Sequence, residues 1–338
     1  MVEHDPVRAR REVALKVGAT HVLDPNAVYL QAYTGQTATD SARAIHEHLH
    51  RHYPHLTLYW GVADHSVHLP EGAVSVVMRT REWYDVLGRS TYLINNIEFD
   101  KWFVKQPGQK FLQTFHGYPA KSMGLVQWRA KRFPERRIEA ELDRTMRKWD
   151  LILTPSPEMD EYYRREYAYE GPIANQGYPR DDVLVSEGAE EIRRTTRERL
   201  GIAPDQKVVL YAPTFRDHLA TAHRSAKLAE HLDLETASEA LGEEYVFLMR
   251  GHRFHSRGAH RLGMHRRLID VTDYPEINDL ILASDAAVLD YSSLRFDFAL
   301  TRKPMVFLVP DLDVYSGPVR GFLYDYRSTA PGPLLSDA

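Results

Sequence analysis

Residues Ser284–Asp297 read Ser-Asp-Ala-Ala-Val-Leu-Asp-Tyr-Ser-Ser-Leu-Arg-Phe-Asp. The apolar run Ala286–Leu289 predicts a short buried strand, and Leu294, Phe296, Phe298 and Leu300 open a pattern read as a helix. Ser292 and Ser293 therefore fall at a strand-to-helix junction. Their hydroxyls lie beside the first free N–H groups and the positive end of the helix dipole, a setting that suits phosphate. A serine pair at such a junction serves equally as a plain helix cap, so the weight falls on what accompanies it. Gln113–Lys121 carries His116 in a His-Gly-Tyr-Pro loop after a strand. An imidazole held there titrates near neutrality and can take a proton from an attacking hydroxyl. With 17 histidines in the chain, an ordinary loop histidine is the alternative. Tyr211–Asp217 presents Thr214 and Arg216 after another strand, where both could meet phosphate oxygens. Leu248–His252 adds Arg250 and His252, and Asp270–Tyr274 adds Thr272 on a loop of the kind that holds a nucleotide base. Gly177–Asp182, with Arg180, shapes a turn near the middle of the chain.

These loops need a scaffold that puts strand ends together. Thr57–Val62, Ala73–Met78, Ser90–Ile94, Lys110–Phe115 and Asp150–Thr154 read as strands, with helices over Ser41–His52 and Arg79–Leu87. After a break around Gly177–Glu187, a charged helix Glu190–Leu200 leads to strands Lys207–Tyr211, Tyr245–Met249, Leu268–Val271, Ala286–Leu289 and Pro304–Phe307. Strands alternating with helices predict parallel α/β sheets. The expectation is two Rossmann-like domains, residues 19–185 and 186–338, whose sheets face a central cleft. Ligands of such sheets bind at the carboxyl ends of the strands, and every loop named above follows a strand or the domain junction.

At 338 residues the chain has material for two cores. A net charge of -4 argues against a dedicated nucleic-acid binder. Positive charge is nonetheless concentrated between Lys121 and Lys148 and again between Arg250 and Arg267. Such runs are either solvated helix faces or surfaces for a polyanion or an anionic membrane. The absence of cysteine excludes disulfides, thiolate metal sites and a cysteine nucleophile. The charged start lacks the apolar segment of a signal peptide, and no apolar run approaches the ~20 residues that span a bilayer. A cytoplasmic protein, peripheral on the inner face of the membrane at most, is expected. No acidic cluster has metal-ligand spacing, so Arg, His and helix N–H groups are expected to neutralise a bound pyrophosphate.

In order, these motifs resemble the CDP-glycerol glycerophosphotransferase family, the teichoic-acid polymerases and primases and their capsule-polymer relatives. The resemblance runs over roughly residues 25–335 and extends to Arg320-Gly321-Phe322-Leu323-Tyr324 and Pro331-Gly332-Pro333. It implies a fold of the GT-B kind and a reaction in which a hydroxyl attacks the β-phosphorus of CDP-glycerol, releasing CMP. The acceptor would be a lipid-linked or polyol-phosphate polymer, with no cofactor beyond the donor. By position, His116 matches the family's proposed base. His252, Arg250, Thr214, Arg216, Ser292 and Ser293 match its pyrophosphate group, and Asp297 matches a carboxylate near the nucleotide. Phe115 and Tyr118 depart from the usual Trp and Thr, Leu289 stands where Thr is common, and Gly251 separates Arg250 from His252; the identity of the polyol is therefore open. The relatives' further C-terminal helices are expected to be missing after Pro333. A nucleotide-sugar glycosyltransferase of the same fold, or a binding domain without turnover, would carry a similar site.

Overall fold

The first strand of the first sheet, β1 (Asp24–Gln31), lies in its interior. Its residues Ala27–Gln31 are all buried, as expected for a parallel strand covered on both faces. Around it lie β2 (Thr57–Val62), β3 (Ala73–Val77), β4 (Ser90–Asn95), β5 (Lys110–Gln113), β6 (Leu151–Leu153) and β7 (Ile173–Ala174). The order is β3-β2-β1-β4-β5-β6-β7, and every pairing is parallel. The structure, a computed structural model, describes residues 21–214, 220–222, 225–226, 231–251, 267–316 and 321–337.

Helix Asp40–His52 lays Ala42 and His46 onto this sheet. Trp60 Nε1 donates to His46 Nδ1 at 3.1 Å, and His46 Nε2 donates to the Glu71 carbonyl at 2.8 Å. With Nδ1 accepting and Nε2 donating, that imidazole is neutral; burial also pushes its pKa down. His46 is thus a core histidine. Helix Arg81–Arg89 starts on a cap in which Thr80 Oγ1 accepts from Trp83 N. It buries Trp83, whose Nε1 reaches the Tyr29 hydroxyl at 2.8 Å.

The second sheet contains β8 (Lys207–Tyr211), β11 (Tyr245–Met249), β12 (Leu268–Asp270), β13 (Ala286–Leu289), β14 (Met305–Leu308) and β15 (Leu334–Leu335). A small hairpin, β9 (Ala220–Ala222) and β10 (Ser225–Ala226), stands apart. The order β12-β11-β8-β13-β14-β15 is again all parallel. Counted along the chain, both sheets open 3-2-1-4-5-6, the doubly wound order whose direction reverses beside the first strand. Val208, Leu210, Val246, Leu248, Ala287, Leu289 and Phe307 form the core here, against Leu280, Ile281 and Phe298 from the covering helices. Pro331-Gly332-Pro333 leads into β15, which sequence reading left unassigned. A Cβ at Gly332 would lie 2.1 Å from the Met305 carbonyl, so glycine lets this segment approach β14.

Packing divides the chain into two units, one holding the described residues to His116 with Met123–Arg180, the other Gly117–Ser122 with Asp181 onward. The main change falls at Arg180/Asp181. The physical reason is that the helical turn Pro179–Val185 buries Leu184 in the second core, with Val183 packed against it.

Candidate functional site

In the first unit the switch point lies between β1 and β4, and a buried polar network fills it. Tyr33 N donates to Asn96 Oδ1 at 2.9 Å. The Tyr33 hydroxyl, Asn96 Nδ2 and Arg180 NH1 all donate to Asp40 Oδ2, at 2.6, 3.2 and 3.1 Å. Burial pushes the Asp40 carboxyl up, but Arg180, the Tyr33 hydroxyl and the Ser41 N–H outweigh it and hold the pKa below its ordinary value.

His116 follows β5 at the edge of this network and is exposed. Its Nδ1 lies 3.0 Å from the Asn96 carbonyl oxygen. A carbonyl can only accept, so Nδ1 carries the proton and the neutral ring has its lone pair on Nε2. The residue expected from sequence to be a base is thus held in a tautomer able to act as one. Phe115, just before it, has φ +53 and donates its N–H to Gln113 Oε1 at 2.9 Å. A bulky residue in the left-handed region costs energy that the surrounding structure must offset.

The loop after His116 belongs to the second unit. Ser122 N donates to the Gly321 carbonyl at 3.2 Å and Leu323 N to the Ala120 carbonyl at 3.1 Å. Lys121 and Phe322 form a β-bridge. Tyr118 stacks on Phe296, with ring centroids 3.9 Å apart and planes 19° apart. Three segments of this unit that are distant in sequence therefore meet: Gly117–Ser122, the Ser-Ser helix and the Gly-Phe-Leu-Tyr segment.

At the second unit's own switch point, between β8 and β13, Asp290 is the organising residue. Its buried carboxylate accepts from Thr214 N at 2.8 and 3.0 Å and from the Thr214 hydroxyl. Thr214, expected to meet phosphate, here directs its backbone and hydroxyl donors to a carboxylate. Arg250 NH1 donates to the Tyr274 carbonyl at 2.8 Å, and Thr272 Oγ1 accepts from Gly251 N at 2.9 Å. Arg250 and Thr272 thereby tie two neighbouring strand-end loops together. Ser292 and Ser293 are half-buried where β13 ends. Ser292 Oγ accepts from Leu294 N at 3.2 Å, whereas Ser293, the N-cap residue, makes no capping bond with its hydroxyl. Helix Leu294–Ala299 has only six residues, so few aligned peptide units sum into its macrodipole. Asp297 is buried within that helix. Arg216 and His252 lie outside the described residues, as do Arg253, Arg257, Arg261 and Arg266 of the second basic run.

The first basic run does not form one surface. Arg129, Lys131, Arg132, Arg136 and Arg137 are exposed. Lys148 is 3% exposed, and burial pushes its ammonium down to about 8. Lys121 is half-buried, with its ammonium over the Tyr315 ring. Among the described residues no group of three or more His, Asp or Glu side chains is placed to hold a metal ion. Nor is any helix among them long and apolar enough to cross a membrane.

The family of CDP-Glycerol:Poly(glycerophosphate) glycerophosphotransferases matches residues 13–338. The teichoic acid glycerol-phosphate transferase of Staphylococcus aureus is 31% identical over 319 residues, covering 92% of this chain and 81% of that protein. The teichoic acid poly(glycerol phosphate) polymerase of Bacillus subtilis is 30% identical over 312 residues, 91% of this chain but 42% of the polymerase. This chain thus spans less than half of that relative's length. A structure of the wall teichoic acid polymerase TagF superposes with a TM-score of 0.89 at 26% identity, covering 99% of this chain and 84% of that one. A TagF variant soaked with CDPG gives 0.86 at 27% identity, covering 97% and 81%. The α/β fold is of the GT-B type, and the chain belongs to the CDP-glycerol:poly(glycerophosphate) glycerophosphotransferase family.

Proposed function

We propose that the chain transfers a polyol phosphate, glycerol phosphate in the first instance, from CDP-glycerol to a hydroxyl of a teichoic-acid-like or capsular polymer. The observation that carries this reading is His116, an exposed imidazole whose Nδ1–H is committed to the Asn96 carbonyl, leaving Nε2 to receive a proton. The acceptor oxygen bonds to the β-phosphorus as the bond to CMP breaks. The electron pair leaves with CMP, and the acceptor's proton passes to Nε2. Charge spread over the phosphoryl oxygens is met by fixed donors and cations, which supply most of the catalysis in phosphoryl transfer. Those roles are assigned to Ser292, Ser293 and Arg250, with Arg216 and His252 carried from the family pattern. Thr272 and Asp297 are assigned to the nucleotide end, and Thr214 to the loop that borders the phosphates. No organic cofactor is assigned.

The names of the relatives support glycerol phosphate, but a poly(ribitol-phosphate) polymerase of Bacillus spizizenii is also 34% identical over 196 residues. CDP-ribitol is accordingly the competing donor. The exposed arginines and lysine around Arg129–Arg137 are assigned to a polyanionic acceptor or to the anionic inner face of the membrane, and a cytoplasmic location is part of this reading.

The test is to supply CDP-glycerol with a glycerol-phosphate oligomer and follow the nucleotide released. CMP is expected; UDP or GDP from a nucleotide sugar, with no CMP, overturns the reading in favour of a glycosyltransferase. The rate at limiting acceptor should fall as salt rises, since screening weakens a polyanion contact. Indifference to salt returns the basic face to a solvated role. Ser292→Ala combined with Ser293→Ala is expected to weaken CDP binding about tenfold, the scale of one or two lost hydrogen bonds. Unchanged affinity in calorimetry removes both serines from the phosphate site.

A further inference from the structure

The carboxyl ends of β1, β4 and β5 hold more than the imidazole. Asp40 opens helix Asp40–His52 and is 7% exposed, yet its backbone has φ +69. Tyr33, which donates to it, has φ +47, and Phe115 has φ +53. Three non-glycine residues in the left-handed region thus surround one histidine. Strain of this kind persists only where the surrounding structure imposes it, and it gathers at functional sites. Asn96, fully buried, joins Asp40 to His116: its amide donates to the carboxylate, its side-chain oxygen accepts from Tyr33 N, and its carbonyl accepts from His116 Nδ1. The edge of the Tyr33 ring meets the imidazole at 5.9 Å between centroids and 64° between planes.

We propose that Asp40 is a positioning residue for His116. By clamping Asn96 it aims the carbonyl that fixes the Nδ1–H tautomer, and its negative charge favours the imidazolium formed when Nε2 takes the acceptor's proton. No proton moves to Asp40; Nδ1–H stays in place, and Nε2 later releases its proton to solvent. Among the described residues of this unit, the Tyr33 ring meets the imidazole, Asp40 couples to it electrostatically, and Arg180 is paired with that carboxylate. Arg180 fixes the carboxylate and also offsets part of its field, so geometry carries more of the effect than charge does. This inference rests on the reading of His116 as the base, but its test does not pass through turnover alone.

The full chain with ¹⁵N-labelled histidine is titrated by NMR, as wild type and as Asp40→Asn. Wild-type His116 should show the Nδ1–H tautomer. The variant should show mixed tautomers and a lower pKa, because a negative charge has gone while Arg180 remains. Turnover should fall about ten- to a hundredfold, with the acid limb of the pH–rate profile moved to lower pH, and the dissociation constant for CDP should stay within twofold. Tyr33→Phe keeps the charge and removes one hydrogen bond to it, and serves if the unpaired Arg180 unfolds Asp40→Asn. It should lower turnover a few-fold and broaden the His116 tautomer signal without moving its pKa. A His116 whose tautomer and pKa are the same in wild type and in the folded variants overturns the proposal. Turnover surviving His116→Ala would instead remove the base while leaving the tautomer evidence on Asp40 intact.

Discussion

His116→Ala is expected to lower turnover by about a hundredfold or more, the usual scale for a positioned general base, while leaving CDP affinity close to wild type. A polyol hydroxyl is a weak nucleophile at neutral pH, so the rate depends on a group that accepts its proton as the bond to phosphorus forms. His116 has the geometry for that: the Asn96 carbonyl at 3.0 Å takes its only proton-bearing nitrogen in the neutral ring. The ring is exposed, whereas His46, whose two nitrogens are both paired, is sealed in the core. CDP affinity should hold because the nucleotide is assigned to Ser292, Ser293, Arg250 and Thr272, all in the other unit. His252→Ala, a residue assigned to the pyrophosphate, should lower rate and donor affinity together. Single-turnover measurement with CDP-glycerol, beside calorimetry with CDP, separates the two behaviours. Near-normal turnover in His116→Ala, or a loss of CDP affinity matching that of the His252 variant, would mean that the roles are assigned wrongly.

Much of this was legible in the sequence where burial alone decides structure. β8, β11 and β13 match their predicted limits: β11 and β13 are apolar runs closed on both sides by charged residues, and β8 is an apolar run that stops just before Ala212-Pro213. β1 escaped, although it is an interior strand: Asp24-Pro25-Asn26 reads as a turn, and only Ala27–Leu30 carries the apolar signal. The Ser-Ser, His-Gly and Arg-Gly-His loops could be picked out because their residue types imply chemistry. Asp40 could not. Its position reads as an ordinary helix start, and the fact that makes it unusual, an ion pair with Arg180, joins residues 140 positions apart. The tautomer of His116 was equally hidden, since its partner is a backbone carbonyl that no side-chain pattern reports. The basic run misled in the opposite direction. Spacing counted Lys148 with the surface arginines, but it packs inside, its ammonium 5.7 Å from the Phe103 ring centroid.

Asp290→Ala should be the most damaging substitution in the second unit. The carboxylate is 4% exposed and takes both the N–H and the hydroxyl of Thr214, joining the loop after β8 to the loop after β13 where the strand order reverses. The Tyr326 hydroxyl, donating to the Asp290 carbonyl at 2.6 Å, holds the same turn from the other side and would survive the change. Hydrogen bonds to a charged group are worth about 1.5–3 kcal/mol each, and a buried donor left unpaired costs its desolvation as well. Loss of two donors' partner should therefore cost about 2–4 kcal/mol in urea denaturation. Asp290→Asn should recover part of that, because the amide oxygen can still accept from Thr214 N. CDP affinity should fall with stability, since Ser292 and Ser293 follow Asp290 by two and three residues and depend on the same turn. The opposite result is informative: a carboxylate beside a pyrophosphate repels it, and Thr214's donors are the ones a phosphate would want. If the folded alanine variant binds CDP more tightly than wild type, Asp290 withholds Thr214 from the ligand, and its role as the lock of this loop has to be given up.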